Sequence, residues 1–251
     1  MRSLLLLLSL LYGGLALADD IQLSNGDWPP YLGEHLPHQG VASRIINDAF
    51  ASQGIDVQWK FYPWARALHL AERGELAGSA VWLRSKERED QFFISEPVID
   101  SRYVLFYRKD HPVDWRNVDD LAGLRIGATN GYDYGAAFQQ AEAEGRLQIS
   151  RQTSDELGLR QLLAGRIDAL PLDQVVAYAL LNQHFSAAER AQIGFHPQPL
   201  RSDSLHLLLS RQVAGNAERM ARFNQGLAQL RSSGRVAQYL REVEQSLSLA
   251  P

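Results

Sequence analysis

Short apolar strands alternate with amphipathic helices along most of the chain, and this alternation restricts the possible folds more than any other feature. In the first half, the pattern predicts strands at Ile21–Asn25, Val57–Tyr62 and Ala77–Val81, with helices between them. Strands that alternate with helices form mostly parallel sheets. A second series of the same kind spans Leu124–Pro199. The sequence therefore predicts an α/β fold built from two similar series.

Two polar breaks interrupt the apolar pattern where the chain passes between the series. The first break is Arg108–Asp114, and the second, Leu200–Ser204, separates strands predicted at Ile193–Pro199 and Leu205–Ser210. Because two helices follow the second series, the simplest topology is two α/β lobes joined by two hinge crossings. We expect one lobe to comprise residues 19–108 and 201–251, and the other to comprise residues 109–200.

The first residues have the composition of a secretory signal peptide. Arg2 precedes the apolar run Leu4–Leu11, and Ala16-Leu17-Ala18 is a typical cleavage site. We therefore expect residues 1–18 to be removed and the mature protein to be periplasmic. The chain has no cysteine, so we expect neither a disulfide nor a lipid anchor. The net charge of −4 gives no reason to expect binding to nucleic acid or to an anionic membrane.

The segment Ala77–Glu96 contains the strongest candidate for a binding residue. Ser85 follows a predicted buried strand and is a good helix N-cap, and Arg88 lies among acidic residues in the first helical turn. A cation gains nothing from the helix dipole at that position. Arg88 either belongs to a solvated charge run or points into a cleft at the carboxyl end of the strand, where open α/β sheets bind ligands. In a cleft, its planar guanidinium would suit a carboxylate.

Several motifs occur in an order that resembles one known family. Residues Trp82–Arg88 and Phe93–Pro97 resemble its T-x-E-R…F-S-x-P segment, and Gly165–Ala169 with Asp173 resembles its G-R-x-D-A…D segment. The chain is similar, over about residues 21–243, to the extracellular solute-binding proteins of family 3, the polar amino-acid receptors of ABC importers. The resemblance implies a periplasmic-binding-protein-like (type II) fold whose two lobes close on a small ligand.

The resemblance also implies binding residues on both lobes. Arg88 matches the arginine that binds the ligand's carboxylate, and Asp173 matches the aspartate that binds its ammonium group. Trp28 and Trp64 match aromatic residues that sandwich the ligand, although Trp64 is equally compatible with the core. Asn25 precedes the first aromatic loop and is placed to contact the ligand's side chain, and backbone N–H groups at a helix N-terminus of the second lobe are placed to reach the carboxylate. The expected ligand-binding residues are Asn25, Trp28, Tyr31, Trp64, Arg88, Tyr132, Asp133 and Asp173.

Several of these residues, and two of their neighbours, also have a purely structural interpretation. Asp173 and Asp155 each begin a predicted helix, where aspartate is a typical N-cap. Trp28 is followed by two prolines, in a loop that we expect to bury poorly. Tyr132 and Tyr134 are compatible with a surface turn.

The sequence departs from the family at three positions near the expected site. Leu83 and Arg84 occupy a region where the family often has a small hydroxyl residue, and Leu76 stands where an aspartate is common. Arg84 either favours a dicarboxylate ligand or neutralises Glu87 or Asp90 on the surface. We favour the surface pair, since exposed charges usually find such partners.

Three functions are compatible with these residues. The favoured one is a receptor that delivers a small polar solute, with an amino acid as the first candidate, to an inner-membrane ABC permease. The alternatives are a cleft enzyme of the same fold, such as a dehydratase, and a soluble sensor for a signalling partner. The sequence has no H-E-x-x-H, G-x-S-x-G or Gly-rich phosphate-loop motif. His35 and His38 have the spacing of half a metal site, but two histidines in a proline-rich loop are more typical of polar surface, and the other histidines show no pairing pattern. We therefore expect a non-enzymatic monomer that uses no cofactor and no metal.

Overall fold

The computed structural model describes residues 19–247, which form eight strands and nine α-helices. The predicted signal peptide lies outside the described residues. The first series comprises β1 (Asp19–Asn25), α1 (Val41–Ala51), β2 (Ile55–Phe61), α2 (Trp64–Glu72), β3 (Gly78–Leu83) and α3 (Lys86–Gln91). The rest of the chain comprises β4 (Phe92–Arg108), β5 (Arg125–Thr129), α4 (Ala136–Ala143), β6 (Gln148–Gln152), α5 (Asp155–Leu163), β7 (Leu170–Asp173), α6 (Gln174–His184), α7 (Ala187–Gln192), β8 (Ile193–Ser210), α8 (Asn216–Ser232) and α9 (Arg235–Ser246).

Most of the predicted elements are present, with their ends shifted by a few residues. The apolar face predicted for α1 is buried, and Ile45, Ile46 and Phe50 are shielded completely from solvent. Helix α7 was not predicted, although its N-terminus carries a capping box in which Ser186 and Glu189 satisfy each other's backbone N–H groups. The helical period of 3.6 residues was therefore a reliable signal for the longer helices. A helix of less than two turns is too short to show that period, so only its capping residues indicate it.

The strands form one six-stranded sheet in the order β2-β1-β3-β8-β4-β7 and one two-stranded sheet of β5 and β6. Strand β1 runs parallel to β2 and β3, and β5 runs parallel to β6. A parallel bridge between Ile126 and Ala169 links β5 to the segment that leads into β7. Each series therefore has its own group of parallel strands, and the α/β prediction is confirmed.

Strands β4 and β8 are far longer than the sequence predicted. They pair antiparallel from Phe92–Ser210 at one end to Arg108–Ile193 at the other, so they extend through both series. The two separate strands predicted for the β8 region are wrong, because no break occurs between them. Prolines inside the pair are tolerated at irregularities: the register shifts on both sides of Pro97, and Pro199 faces Val104 between two further shifts.

The core of the first series is closed by the C-terminal helices. Phe50 of α1 meets Phe223 of α8 with ring centroids 4.8 Å apart, and both rings are fully buried. The two helices approach closely at Gly226, where an added Cβ would lie 2.1 Å from the carbonyl oxygen of Ala49. Only glycine allows this contact, so α8 is fixed against α1 and the end of the chain returns to the first series.

Among residues 19–247, none of the helices combines the length and the apolar character that a bilayer crossing requires.

Candidate ligand-binding site

The parallel strands of each series end together, and most of the predicted site residues lie at or just beyond these ends. We call the carboxyl ends of β1, β2 and β3 the first edge, where the strands end at Asn25, Phe61 and Leu83. We call the carboxyl ends of β5, β6 and β7 the second edge, where they end at Thr129, Gln152 and Asp173. Ligands of open α/β sheets bind outside such ends.

Arg88 lies beside the first edge, and its guanidinium forms no ion pair with any residue of the described chain. Ser85 caps α3 by accepting the Arg88 N–H at 3.3 Å. Nη1 donates to the carbonyl oxygen of Leu83 at 2.7 Å, and the guanidinium carbon lies 5.0 Å from the centroid of the Trp82 ring. Burial lowers the pKa of Arg88, and two nearby glutamates oppose this effect. One carbonyl contact leaves several N–H groups free for an anion.

Arg84, four residues earlier, has a different environment. Its side chain is exposed, and Nε donates to the carboxylate of Glu89 at 2.7 Å. The expected surface pair is therefore present, with Glu89 as the partner instead of Glu87 or Asp90. An exposed pair of this kind contributes little energy, and Arg84 gives no support for a second anion site.

Two pairs of aromatic rings lie at the first edge. Trp28 packs on Tyr31 with ring centroids 4.8 Å apart, and Trp64 meets Trp82 edge to face at 5.2 Å. An added Cβ at Gly26 would lie 2.5 Å from the Trp64 ring, so the ring depends on glycine there. Trp64 packs partly against the core and also borders an open cavity of about 390 Å³. The cavity is lined by Asp27, Glu34, Phe61, Tyr62, Pro63 and Trp64.

The loop that contains Trp28 and Tyr31 is buried more deeply than we expected. Trp28 is half-buried, but Tyr31 is 3% exposed and Leu32 is shielded completely. The expectation of a poorly buried loop is wrong because its backbone groups pair within the loop. The N–H of Trp28 donates to the carbonyl of Leu32 at 2.9 Å, and the N–H of Leu32 donates back at 3.1 Å.

Asn25, the last residue of β1, is completely buried. Its Nδ2 donates to the hydroxyl of Ser43 in α1 at 3.1 Å. Its Oδ1 is buried and has no hydrogen-bond partner among residues 19–247. A buried amide oxygen without a donor is costly, and this is the one predicted site residue with such an atom.

Asp173 ends β7 on the second edge and caps α6, so its structural interpretation is correct. Oδ1 accepts the N–H groups of Val175 and Val176 at 3.0 Å each. Oδ2 accepts the Ser101 hydroxyl at 2.7 Å and the Arg102 N–H at 3.1 Å. The side chain is 1% exposed and pairs with no cation of the described chain. Burial raises the pKa of Asp173, and these hydrogen bonds oppose the rise.

A fifth donor reaches Asp173 from the first series. The hydroxyl of Tyr31 lies 3.4 Å from Oδ1, which is the longest of the five contacts. Burial, followed by the charge of Asp173, raises the pKa of Tyr31 well above its ordinary value. The two edges therefore already meet at this point, through a residue that follows β1 and a residue that ends β7.

Asp155 is a second buried carboxylate beside the second edge, and it is absent from the residues predicted to bind the ligand. Its predicted role as a helix cap is wrong, because Ser154 caps α5 and Asp155 occupies the first turn at 8% exposure. Its Oδ1 accepts the Thr129 hydroxyl at 2.5 Å, and its Oδ2 accepts the Tyr132 hydroxyl at 3.2 Å. Burial raises the pKa of Asp155, the two hydroxyl groups lower it, and the charge of Asp173 raises it further. Its position after β6 was the available signal.

Three tyrosine rings lie between the two buried carboxylates. Tyr103 faces Asp173 in the pairing of β4 with β7, and its ring centroid lies 6.4 Å from that of Tyr132 and 5.9 Å from that of Tyr134. Tyr134 is 1% exposed, so its interpretation as a surface turn residue is wrong. Its hydroxyl accepts the N–H of Thr129 at 2.6 Å, and burial raises its pKa to about 12.

Asp133 is exposed and already paired, unlike Asp155 and Asp173. Its carboxylate accepts the Gly135 N–H at 2.8 Å and forms an ion pair with Arg201 of β8 at 2.7 Å. Partial burial favours a higher pKa for Asp133, but these two contacts outweigh it and lower the pKa. The structure therefore brings Tyr132 and Asp173 together beside Asp155, and it directs Asp133 towards β8.

Comparisons with solved structures show the same fold in proteins of low sequence identity. An ancestral arginine-binding protein bound to arginine matches with a TM-score of 0.70 at 16% identity, over 89% of this chain and 97% of that one. A histidine kinase sensor domain with similarity to periplasmic binding proteins matches with a TM-score of 0.70 at 19% identity, over 90% and 96%. The open form of substrate-binding domain 2 of Lactococcus lactis GlnP matches with a TM-score of 0.66 at 20% identity, over 90% and 95%.

A search of curated proteins finds no match to the sequence. The family model for bacterial extracellular solute-binding proteins, family 3, matches residues 23–242, which is nearly all of the chain outside the predicted signal peptide. The structural matches confirm the two-lobed, type II periplasmic-binding-protein-like fold. The chain therefore belongs to the bacterial extracellular solute-binding proteins of family 3.

Proposed function

We propose that this protein is a periplasmic receptor that binds an amino acid between two closing lobes and delivers it to an inner-membrane ABC permease. The observation that carries the proposal is a pair of unmatched charges. Arg88 beside the first edge has no anionic partner in the described chain, and Asp173 on the second edge has no cationic one. An α-amino acid offers both complements, a carboxylate for the guanidinium and an ammonium group for the aspartate.

The proposed ammonium contact requires room at Asp173, which already accepts five hydrogen bonds. Four of them come from residues next to it in sequence or in the sheet, at 2.7–3.1 Å. The fifth, from Tyr31, is the longest at 3.4 Å and comes from the opposite series. We propose that the ligand's ammonium group takes the place of the Tyr31 hydroxyl and keeps its link between the two edges.

We propose that the lobes are residues 19–108 with 201–251, and residues 109–200. The strand pair β4 and β8 supports this division, because it is the continuous connection between the two series. Bending within such a pair would move one edge towards the other, as in the hinge closure known for periplasmic binding proteins. Closure would take half-buried Arg88 out of water and bring it towards Asp173, which is already buried, and charge-assisted hydrogen bonds are stronger in such surroundings.

The remaining predicted residues have supporting positions in this proposal. Trp28 and Trp64 present aromatic faces at the first edge, and Trp64 borders the open cavity there. The unpartnered Oδ1 of Asn25 would gain a donor if a polar ligand reached it. The backbone near Tyr132 and Asp133 precedes α4 and offers N–H groups for a carboxylate.

Two of the structural matches are consistent with an amino-acid ligand. One is an arginine-binding protein bound to arginine, and another is the substrate-binding protein of an amino acid ABC transporter. At 16–17% identity these matches show the shared fold only, so the ligand itself depends on the charges described above.

A thermal-shift screen of the purified protein against the common amino acids, dicarboxylates and polyamines tests the proposal. We expect at least one α-amino acid to raise the melting temperature, because a ligand that binds only the folded state stabilises it. Calorimetric titration then gives its affinity. If dicarboxylates or polyamines stabilise the protein and no α-amino acid does so, the proposal is wrong.

A further inference from the structure

The ionised side chains at the two edges do not balance one another. Three of them are wholly or partly shielded from solvent and lack an oppositely charged partner within residues 19–247: half-buried Arg88, and buried Asp155 and Asp173. Some other charged groups near the edges are paired, as in Arg84–Glu89 and Asp133–Arg201, and Asp27 and Glu34 at the open cavity are exposed to solvent. The shielded and unpaired charges are therefore one cation and two anions.

The two buried carboxylates differ in their remaining hydrogen-bonding capacity. Asp173 accepts five donors, four of them from its own surroundings on β4 and α6. From residues 19–247, Asp155 accepts only two donors, the hydroxyl groups of Thr129 and Tyr132. A carboxylate offers about four lone-pair sites, so Asp155 has unused acceptor positions in a location from which water is largely excluded.

Asp155 and Asp173 also lie beside the same group of tyrosine side chains. Tyr103 faces Asp173 across the β4–β7 pair, its ring lies 6.4 Å from the ring of Tyr132, and the Tyr132 hydroxyl donates to Asp155. Aromatic faces attract cations, and the attraction grows when the cation is desolvated. A positive group placed between the two carboxylates would therefore meet favourable charges and rings on several sides.

We infer that Asp155 determines the ligand's charge and that the solute is a cationic amino acid. This inference rests on the proposed function. The ligand's carboxylate would pair with Arg88 and its α-ammonium group with Asp173, and a basic side chain would reach Asp155. Asp155 is already buried and without a cation in the ligand-free protein, so a neutral amino acid would gain nothing from it, whereas a basic side chain would gain a desolvated ion pair. The site would thus reject glutamine through a missing partner and glutamate through charge repulsion.

Titration calorimetry of the purified protein with L-arginine, L-glutamine and L-glutamate tests the inference without any substitution. We expect arginine to bind at least about 100-fold more tightly than glutamine, since each desolvated charge pair has an effect of that order, and glutamate to give no measurable binding. Equal or tighter binding of glutamine or glutamate would overturn the inference while the receptor proposal stands. If no amino acid on the wider screen binds, the receptor proposal itself fails.

Asp155→Asn isolates the charge, because asparagine keeps an acceptor for Thr129 and an amide that can donate to the Tyr132 oxygen. We expect the variant to bind arginine at least about tenfold more weakly and to change glutamine affinity by less than about threefold. The matched control is Glu156→Gln, which alters the next acid on α5, one that pairs with Arg160. An equal loss for arginine and glutamine in Asp155→Asn, or the same loss in the control, would overturn the role of Asp155.

Discussion

The hydroxyl of Tyr31 lies 3.4 Å from Oδ1 of Asp173, and this contact joins residues 142 positions apart in the sequence. Tyr31 is 3% exposed and Asp173 is 1% exposed. Among residues 19–247, this buried carboxylate has hydroxyl and N–H donors as its partners and no cation. The contact shows that the first edge and the second edge meet at the position where the proposed ligand would connect them.

Tyr31→Phe tests whether the ligand replaces this hydroxyl. We expect the substitution to lower the free energy of unfolding by about 1 kcal/mol, the usual effect of one hydrogen bond. Amino-acid affinity should be retained or improved, because the ring remains and Asp173 has one donor fewer. Urea denaturation and calorimetry measure the two quantities. The control is Tyr178→Phe, whose ring packs on Phe106 and Phe195. Complete loss of binding in Tyr31→Phe would show that the hydroxyl itself contacts the ligand.

Arg88→Ala should abolish amino-acid binding and leave the fold nearly intact. Loss of a desolvated partner typically costs about 2–5 kcal/mol of binding free energy. Within the part of the chain that the structure describes, the side chain makes one hydrogen bond and one ring contact, so we expect only a small change in the melting temperature. Arg84→Ala is the matched control, because Arg84 belongs to an exposed ion pair. Unchanged affinity in Arg88→Ala would remove this residue from the site.

Asp173→Asn should distinguish binding of the ligand's ammonium group from binding of its carboxylate. We expect weaker binding of cationic and zwitterionic ligands, with simple carboxylates unaffected, because the substitution removes charge and retains a helix cap. Calorimetry with an amino acid and with its deaminated carboxylate measures the difference. If both ligands bind as well as they bind the wild type, the ammonium assignment is wrong.

The same variant gives a prediction about pH. Burial raises the pKa of Asp173 above its unfolded value, so the folded state holds the proton more tightly. The resulting stabilisation is fully present below the unfolded pKa and is lost as the pH rises through the folded pKa. We therefore expect the free energy of unfolding of Asp173→Asn, relative to that of the wild type, to be higher at about pH 8 than at about pH 4. Urea denaturation at both values checks this, and a difference independent of pH would contradict it.

Gly226→Ala tests the close packing of α8 on α1. The added Cβ would lie 2.1 Å from the carbonyl oxygen of Ala49, which belongs to backbone and cannot move aside easily. Overpacking of this kind costs about 1–3 kcal/mol of unfolding free energy. Ala228→Ser, at an exposed position of the same helix, is the control. Equal stability of Gly226→Ala and wild type would show that the helices can separate at this point.

The order of strands and helices could be predicted from the sequence because each element has its own hydrophobic period. The continuity of β4 and β8 could not, since Pro97, Pro197 and Pro199 usually end strands. In the fold these prolines lie in a long antiparallel pair whose register shifts accommodate Pro97 and Pro199. Pairing between distant segments therefore overrode the local signal.

Only part of the site could be predicted, because contacts between distant segments leave no local pattern in the sequence. Arg88 and Asp173 were found through their motifs, which are local in sequence. For Asp155 the local sequence indicates only a helix cap, because its burial depends on Thr129 and Tyr132, residues from another strand and loop. The contact between Tyr31 and Asp173 likewise depends on how the two series are placed in space, and no spacing in the sequence encodes it.

The most direct test of the central claim is titration calorimetry of wild type, Arg88→Ala and Asp173→Asn with the amino acid that the thermal-shift screen identifies. Two anchors on opposite edges predict that each substitution alone weakens binding by about 2 kcal/mol or more, while both variants remain folded. Wild-type affinity in either variant would show that a single ligand does not connect the two residues.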